Sequence, residues 1–220
     1  MEEDGRSAVR LISVNIGKEQ PIRNGKPSGK TGIFKLPSAA PVMIASMGLE
    51  GDAIVDTENH GGVDQAVYLF TAPDYDWWSN HIGRPLAPGT FGENLLISEL
   101  ESASLNIGDR FRIGAEALLE VTSPRVPCVT IAARMEDPQF VRKFREAEKP
   151  GVYCRVIKAG TVQENDPVQW IPHPGVRVTV LEFFRLYYQK QPSKKEIQHL
   201  LRAPIHFKTR AFYEEMLAGR

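Results

Sequence analysis

Residues 111–122 read FRIGAEALLEVT, in which two strand-like runs flank a turn at Gly114-Ala115. Apolar runs on either side of a short glycine-containing segment predict a β-hairpin. The strand-like runs at 152–157 and 168–171 flank Gly160 in the same manner and predict a second hairpin. Many short strands with frequent turns predict a barrel or a sandwich. The other runs lie at residues 9–16, 30–35, 41–44, 65–70, 152–157 and 168–171.

Helical patterns interrupt these strands and then replace them. Residues 72–81 predict one helix, and Asp137-Pro138 is a start signal for another, because Asp caps free N–H groups and Pro suits the first turn. Residues 171–175, Ile-Pro-His-Pro-Gly, predict a linker, since Pro and Gly interrupt both helix and strand. We therefore expect a β-barrel domain at residues 1–172 and a helical subdomain at residues 176–220.

The segment after the linker has the pattern of three short helices. Thr179 with Glu182, and Ser193 with Glu196, have the spacing of a capping box, in which a hydroxyl and a carboxylate satisfy each other's helix-end donors. Each helix carries apolar residues on one face. A unit of about 45 residues is marginal alone, so we expect the bundle to pack on the β domain. The fold class is thus mainly β (α+β), with peripheral helices and a C-terminal three-helix bundle.

The composition excludes several functional classes. The chain has 220 residues, with 27 Lys and Arg against 27 Asp and Glu. This zero net charge argues against general nucleic-acid binding, which needs clustered cations. No apolar run approaches the roughly 18–20 residues of a membrane span, and the acidic start at residues 1–5 is unlike a secretion signal. We expect a cytoplasmic protein with no nucleic-acid or membrane partner.

The chain contains two cysteines, Cys128 and Cys154. Two thiols cannot ligate an iron–sulfur cluster by the usual four-thiolate scheme. Cys154 lies inside a strand-like run, which predicts packing in the core. Redox chemistry in this chain would therefore need another cofactor, and its electrons would come from another protein.

Candidate site residues occur in four clusters. In the first, His60 precedes Gly61 and Gly62, where the backbone can approach a ligand closely; a surface histidine beside a turn is the alternative. In the second, Glu93 and Asn94 follow a glycine and precede an apolar run. They predict either polar groups at the mouth of the core or an ordinary polar turn.

The other two clusters contain a thiol and cations. Arg125 and Cys128 lie in SPRVPC at residues 123–128, just before a helix-like stretch. A thiol near a helix N-terminus and an arginine has a lowered pKa, and its thiolate attacks electrophiles and binds soft metals. A buried structural cysteine is the alternative. Lys35 ends a strand-like run, where its ammonium can face either an anion or solvent.

These motifs also occur in a specific order. In chain order they are TGIFK at 31–35, GLEGD at 48–52, HGGVD at 60–64, GENL at 92–95, IGD at 107–109 and PRVPC at 124–128. Together they resemble the MOSC domain, the family named for the C-terminal domain of molybdenum cofactor sulfurase. The helical tail resembles the appendage of its YiiM branch. The resemblance covers about residues 9–215.

The resemblance implies a MOSC-type β-barrel that holds the molybdenum cofactor, molybdopterin with molybdenum. It implies that Cys128 is the catalytic residue and either the protein ligand of the metal or a sulfur carrier. A thiolate suits molybdenum, and cationic side chains suit the anionic phosphate of the pterin. The implied cofactor-binding residues are Lys35, His60, Gly61, Gly62, Asn94 and Arg125.

The activity implied by the resemblance is the reduction of N-hydroxylated compounds, including nucleobases such as 6-hydroxylaminopurine. The substrate would be a small N-hydroxylated molecule, and a separate flavin or iron–sulfur protein would supply electrons. Glu93 or Asp64 is a candidate for handling protons. Aromatic residues of the tail suit either core packing or a homodimer contact.

Three other functions stay open on the sequence. The first is a sulfur carrier with a persulfide on Cys128. The second is a hydrolase that uses Cys128 and His60 without a metal. The third is a module that binds or delivers molybdopterin without turnover.

Overall fold

The structure, a computed structural model, describes residues 9–56 and 60–219. Within these residues the strands are β1 (Leu11–Gly17), β2 (Gln20–Pro21), β3 (Lys30–Thr31), β4 (Lys35–Pro37), β5 (Val42–Ala45), β6 (Gly48–Leu49), β7 (Val67–Thr71), β8 (Leu95–Ile97), β9 (Arg110–Ile113), β10 (Ala117–Pro124), β11 (Val152–Lys158), β12 (Gly160–Val162) and β13 (Val168–Ile171). The α-helices are α1 (Ala72–Ile82), α2 (Val129–Arg134), α3 (Phe140–Ala147), α4 (Val180–Tyr187), α5 (Lys194–Leu200) and α6 (Phe207–Leu217).

Eight of the strands form one sheet in the order β13-β9-β10-β11-β7-β8-β1-β4. The pair β7 and β8 is parallel, and α1 lies in the crossover that such a pair requires. All other neighbours in this sheet are antiparallel. A smaller sheet has the order β12-β5-β6, and β2 pairs with β3.

The hairpin predicted at residues 111–122 is confirmed, with Ala117 of β10 paired to Ile113 of β9. The second predicted hairpin is wrong. The run at 152–157 pairs with β10 and β7, whereas the run at 168–171 pairs with β9. Gly160 lies in β12, where a Cβ atom would come within 2.6 Å of the Ala117 nitrogen. This glycine therefore permits close backbone approach rather than a hairpin turn.

The mixed α+β class with a large, mainly β core is confirmed, but the expected closure into a barrel is corrected. Among the described residues, β4 forms a ladder in the large sheet only with β1, and β13 only with β9. A single isolated bridge, between Arg10 and Pro167, lies between the two ends, so the strands do not close into a barrel. Pro37 ends β4 and has no N–H group with which to extend the ladder. The sheet therefore has two edges.

Both faces of the sheet are covered by apolar cores. In β7, Val67 and Leu69 enter the larger core, whereas the alternating Tyr68 and Phe70 enter a second, aromatic-rich core. Successive side chains of a strand point to opposite faces, so one strand serves both cores. This double burial explains why β7 is continuous in apolar residues rather than alternating.

The C-terminal helices continue the larger core. Val180, Phe183 and Leu186 of α4 are buried in the same cluster as the central strands. Both predicted capping boxes are present, one at Thr179 and one at Ser193. The domain division between residues 172 and 176 stays a prediction, since the two parts share one apolar cluster.

The other predicted helices are also found. The helix expected at 72–81 is α1, and the Asp137 carboxylate accepts a hydrogen bond from the Gln139 N–H at 2.8 Å just before α3 begins. None of the helices in the described part of the chain has the length and apolar character needed to cross a bilayer.

A substitution at Phe144 tests the packing of the second, aromatic-rich core. Phe144 is fully buried and packs on Trp78 and Phe91. We expect Phe144→Ala to lower the free energy of unfolding by roughly 3–5 kcal/mol, because it removes apolar contacts and leaves a cavity. The control Phe212→Ala, at a ring 56% exposed on α6, should cost about 0.5 kcal/mol or less. Urea denaturation followed by circular dichroism measures both, and equal losses would contradict this packing.

Candidate functional site

Two adjoining pockets meet beside the segment that carries Cys128. The inner pocket, about 110 Å³, lies among Lys35, residues 52–56 and Arg125. The outer pocket, about 370 Å³, lies between residues 123–128, here called the site loop, and the C-terminal helices. The residues that line both pockets are Lys26, His60, Gln65 and Tyr153.

Cys128 lines the outer pocket and contacts a histidine. Its Sγ lies 3.6 Å from His60 Nε2, and the Tyr153 hydroxyl lies 3.3 Å from His60 Nδ1. Burial acts to raise the pKa of the thiol, but the His60 contact and the positive charge of Arg125 outweigh it and lower the pKa to about 5. The side chain is therefore a thiolate at neutral pH. The predicted His60 and Cys128 thus lie together.

Arg125 is a buried cation in the wall of the inner pocket. Its Nη1 donates to the Phe91 carbonyl, and its guanidinium lies 4.9 Å from the centre of the Tyr68 ring. Its Nε has no hydrogen-bond partner, and no carboxylate of the described residues forms an ion pair with it. Burial opposes its charge, but the Tyr68 and Tyr153 hydroxyls and the Cys128 thiolate raise its pKa. Such a group favours an anion beside it.

Lys35 also reaches the inner pocket, but a carboxylate neutralises it. Its ammonium contacts both oxygens of Asp52, and both side chains are almost fully buried. Burial lowers the pKa of Lys35, and the Asp52 charge acts in the opposite direction. Asp52 also accepts hydrogen bonds from the Gly17 N–H at 2.8 Å and from Asn94 Nδ2 at 2.9 Å. Asp52 belongs to the GLEGD motif, but the sequence alone indicates no role for its carboxylate.

The two polar residues of the GENL motif support the inner pocket. Asn94 lines it, yet its amide is occupied: Oδ1 accepts from the Tyr68 N–H at 3.1 Å, and Nδ2 donates to Asp52. Glu93 lies deeper and lines neither pocket. It accepts a hydrogen bond of 2.6 Å from the Tyr75 hydroxyl. Burial raises the pKa of Glu93 to about 7, against the effect of that hydrogen bond.

The glycines of the HGGVD motif shape the backbone next to His60. Gly61 and Gly62 have φ angles of 92° and 84°, which favour glycine. Gly61 lines the inner pocket, and a Cβ atom there would lie 2.9 Å from Ile54 Cγ2. Asp64 lines neither pocket, and it accepts a hydrogen bond of 2.8 Å from the Phe207 N–H. Neither candidate acid therefore faces Cys128.

Comparison with known proteins indicates the family to which this chain belongs. The model of the MOSC domain matches residues 56–169, just over half of the chain. This chain belongs to the MOSC domain family. The uncharacterized protein YflK of Bacillus subtilis (strain 168) is 32% identical over 191 residues, which are 87% of this chain and 86% of that protein.

Two further proteins resemble this MOSC chain. A protein named Reductase from Gibberella moniliformis is 26% identical over 200 residues. The match covers 89% of this chain but only 35% of that protein, so the MOSC chain spans about a third of its length. The crystal structure of YiiM from Geobacillus stearothermophilus superposes with a TM-score of 0.78 at 23% identity, covering 94% of this chain and 98% of that one. The predicted MOSC family and YiiM-like fold are thus confirmed.

The sequence alone indicates no role for three residues that line the inner pocket of this MOSC chain: Asp52, Tyr68 and Tyr153. Tyr153 had a usable signal, because it precedes the core residue Cys154 in a strand and so must face the opposite side. Cys154 is fully buried, and burial raises the pKa of its thiol. In residues 9–56 and 60–219, no group of three or more His, Cys, Asp or Glu side chains is arranged to hold a metal ion.

The Cys128 thiolate predicts a pH profile for alkylation. Because the pKa is lowered to about 5, iodoacetamide should react with Cys128 at a nearly constant rate above roughly pH 6 and more slowly below the pKa. His60→Gln removes an interaction that lowers the pKa, so its midpoint should move to higher pH. Peptide mass spectrometry across roughly pH 4–9 measures both, with buried Cys154 as an unreactive internal control. A wild-type midpoint near the ordinary thiol pKa of roughly 8.5 would contradict this site geometry.

The Lys35–Asp52 pair predicts a loss of stability when one partner is removed. Asp52→Asn should lower the free energy of unfolding by roughly 3–5 kcal/mol, because Lys35 is left as an unpaired buried charge. The double variant Lys35→Met with Asp52→Asn should recover part of that loss. Urea denaturation at neutral pH measures both, and an unchanged stability in Asp52→Asn would show that the pair is not buried as described.

Proposed function

We propose that this MOSC protein is a molybdenum-cofactor-dependent reductase of N-hydroxylated compounds, including N-hydroxylated nucleobases. The observation that carries the proposal is the Cys128 thiolate in the outer pocket, in contact with His60, which lines both pockets, and in the field of the buried Arg125 cation. MOSC domains are associated with binding of the molybdenum cofactor. The relative named Reductase supports a redox role.

The residues present fit this cofactor. A soft thiolate such as Cys128 suits molybdenum. The unpartnered Nε of Arg125, and the lack of a carboxylate ion pair to it among the described residues, suit an anionic group in the inner pocket. Because the described residues supply no cluster of three metal ligands, a metal at Cys128 would need further ligands from the cofactor itself, and molybdopterin brings dithiolene sulfurs.

When bound, the cofactor supplies the two-electron chemistry of the net reaction R–NH–OH + 2 e⁻ + 2 H⁺ → R–NH₂ + H₂O. Cys128 would hold the metal, and Arg125 would hold the anionic part of the cofactor. The Tyr153 hydroxyl, 3.3 Å from Nδ1, orients the His60 ring so that Nε2 faces the thiolate. We assign the handling of protons near the Cys128 sulfur to His60 Nε2. The other two candidates for this role, Glu93 and Asp64, line neither pocket. A separate flavin or iron–sulfur protein would deliver the electrons.

The contact between Cys128 and His60 also favours a second function. A thiolate with a pKa of about 5, placed 3.6 Å from an imidazole, has the arrangement of a cysteine nucleophile with its base. A hydrolase of this kind would act in protein that contains no molybdenum. In a sulfur carrier, the same thiolate would attack the outer sulfur of a donor protein's persulfide, which releases the donor's thiolate and leaves a persulfide on Cys128.

The decisive experiment measures metal, pterin and turnover on one preparation. The full chain is purified from a host that makes the cofactor, and 6-hydroxylaminopurine reduction is assayed with a chemically reduced viologen. We expect molybdenum and pterin to co-purify. Cys128→Ser should lower turnover by at least about a hundredfold, because it replaces the proposed metal ligand. Cys154→Ser, at a buried core position, is the matched control and should retain activity per folded molecule.

The outcomes separate the possible functions. Repeated preparations with neither molybdenum nor pterin would overturn the reductase. Equal losses in the two cysteine variants would overturn the role of Cys128 as the metal ligand. Ester hydrolysis by protein from a cofactor-free host would support the hydrolase. Extra sulfur on Cys128 without molybdenum would support the carrier, and bound cofactor without any turnover would support a delivery module.

A further inference from the structure

Glu93 is a fully buried carboxylate that lines neither pocket and accepts four hydrogen bonds. Its Oε1 accepts from the Tyr75 hydroxyl at 2.6 Å and from Asn15 Nδ2 at 3.3 Å. Oε1 also accepts from the Gly89 N–H, and Oε2 accepts from the Phe91 N–H at 3.2 Å. Hydrogen bonds to an ionised carboxylate are stronger than those between neutral groups. The carboxylate therefore fixes the backbone at Gly89 and Phe91.

The segment that contains these two residues is a tight turn at residues 87–92, here called the 87–92 turn. Two backbone hydrogen bonds of 3.0 and 3.1 Å close it internally. The Tyr75 hydroxyl, which donates to the buried carboxylate, also accepts from the Thr90 N–H at 3.1 Å. Gly89 has a φ angle of 86°, and a Cβ atom there would overlap the Lys35 carbonyl oxygen. The turn is thus packed directly against the strand that carries Lys35.

The 87–92 turn presents one carbonyl group to Arg125. The Phe91 carbonyl accepts from Arg125 Nη1. The Phe91 ring is fully buried and stacks on the Phe70 ring, with 4.7 Å between the ring centres. Phe91 is therefore held on one side by its ring and on the other by its N–H bond to Glu93. Because a guanidinium is planar and rigid, a bond at Nη1 also restricts the directions of its other N–H groups.

We propose that Glu93 is a positioning residue for Arg125: its carboxylate fixes the 87–92 turn, and the Phe91 carbonyl of that turn holds the guanidinium at the wall of the inner pocket. This role differs from the proton handling for which the sequence made Glu93 a candidate. The positioning of Arg125 does not require the proposed reductase function. Its consequence for cofactor retention rests on that function.

The first test measures how fast the Arg125 guanidinium rotates about its Nε–Cζ bond, by NMR on the full chain with isotope-labelled arginine. The signals are assigned by their loss in Arg125→Lys. The measurement is made at roughly pH 8, where Glu93 is mostly ionised because its pKa is about 7. Glu93→Gln keeps the size of the side chain but replaces one acceptor oxygen with an NH₂ donor. Rotation should become about tenfold faster, because the Nη1 hydrogen bond that opposes it is weakened.

Asp109→Asn is the matched control. Asp109 is also fully buried, accepts three hydrogen bonds and lines neither pocket. Its substitution should leave the rotation rate of Arg125 within about twofold, because the two residues share no hydrogen-bond partner. Unchanged rotation in folded Glu93→Gln, or an equal increase in Asp109→Asn, would overturn the proposal. Circular dichroism establishes which variants are folded.

A second variant decides the question if Glu93→Gln does not fold. Tyr75→Phe keeps the carboxylate and removes the hydroxyl that links it to the 87–92 turn. Rotation of the Arg125 guanidinium should then become about threefold faster, because one of the bonds that fix the turn is lost. With Glu93→Gln unfolded, an unchanged rate in Tyr75→Phe would contradict the positioning role.

The second test connects the positioning with the proposed function. Pterin and molybdenum are measured per chain in protein purified from a host that makes the cofactor. Glu93→Gln should retain about fivefold less of both than the wild type, because a displaced Arg125 binds an anionic group less well. Asp109→Asn should match the wild type.

The two tests fail separately. If the wild type carries no cofactor, the proposed function fails, and the rotation rates alone decide the positioning role. If Glu93→Gln speeds rotation but retains the cofactor like the wild type, Glu93 still positions Arg125, and the inferred role of Arg125 in holding the cofactor is wrong.

Discussion

The carboxylate of Asp52 is the interaction on which the inner pocket depends. It is buried, and its donors come from three separate parts of the chain: the Gly17 N–H, the Lys35 ammonium and the Asn94 amide. A buried carboxylate is stable only when such donors surround it. Because Gly17 ends β1 and Lys35 begins β4, Asp52 holds the loop at 52–56 against the edge of the sheet. That loop is one wall of the pocket.

The two cations of the inner pocket differ in whether a carboxylate pairs with them. Lys35 is neutralised by Asp52, whereas Arg125 has no carboxylate partner among the described residues. The low dielectric of the interior strengthens the field of an uncompensated charge. This field helps to lower the pKa of Cys128 and also favours an anionic group beside Arg125. This asymmetry in charge pairing thus contributes to the lowered pKa of the Cys128 thiol and leaves Arg125 able to attract an anionic group.

Residues of the family motifs stabilise the fold as well as line the pockets. In HGGVD, His60 contacts Cys128, while Asp64 holds the start of α6. In IGD, Asp109 accepts from Trp170 Nε1 at 3.0 Å and from the His173 N–H at 2.8 Å, where the tail begins. A resemblance carried by such motifs therefore identifies the fold more firmly than it identifies each ligand contact.

Local features of the fold were predictable because they depend on neighbours in the chain. The hairpin at 111–122, helix α1 and the two capping boxes follow from turn chemistry, periodicity and contacts three residues apart. The pairing of Gly160 and the open edges of the sheet were not predictable, since they depend on strands distant in sequence. The residues of the candidate site also divide into those that local sequence indicates and those that only distant contacts place. Cys128 could be preferred over Cys154 from its flanking prolines and arginine alone.

The sequence by itself determined the family, the helices and most strands, because each depends on short motifs or local periodicity. It also made Cys128 the candidate thiol. Only the tertiary structure decided that Asp52 neutralises Lys35, that Asp64 faces the tail, and that the aromatic residues of α4 lie across a pocket from Cys128. These are contacts between residues far apart in the chain. Their partners are selected by packing and by the burial of charge, which no short motif encodes.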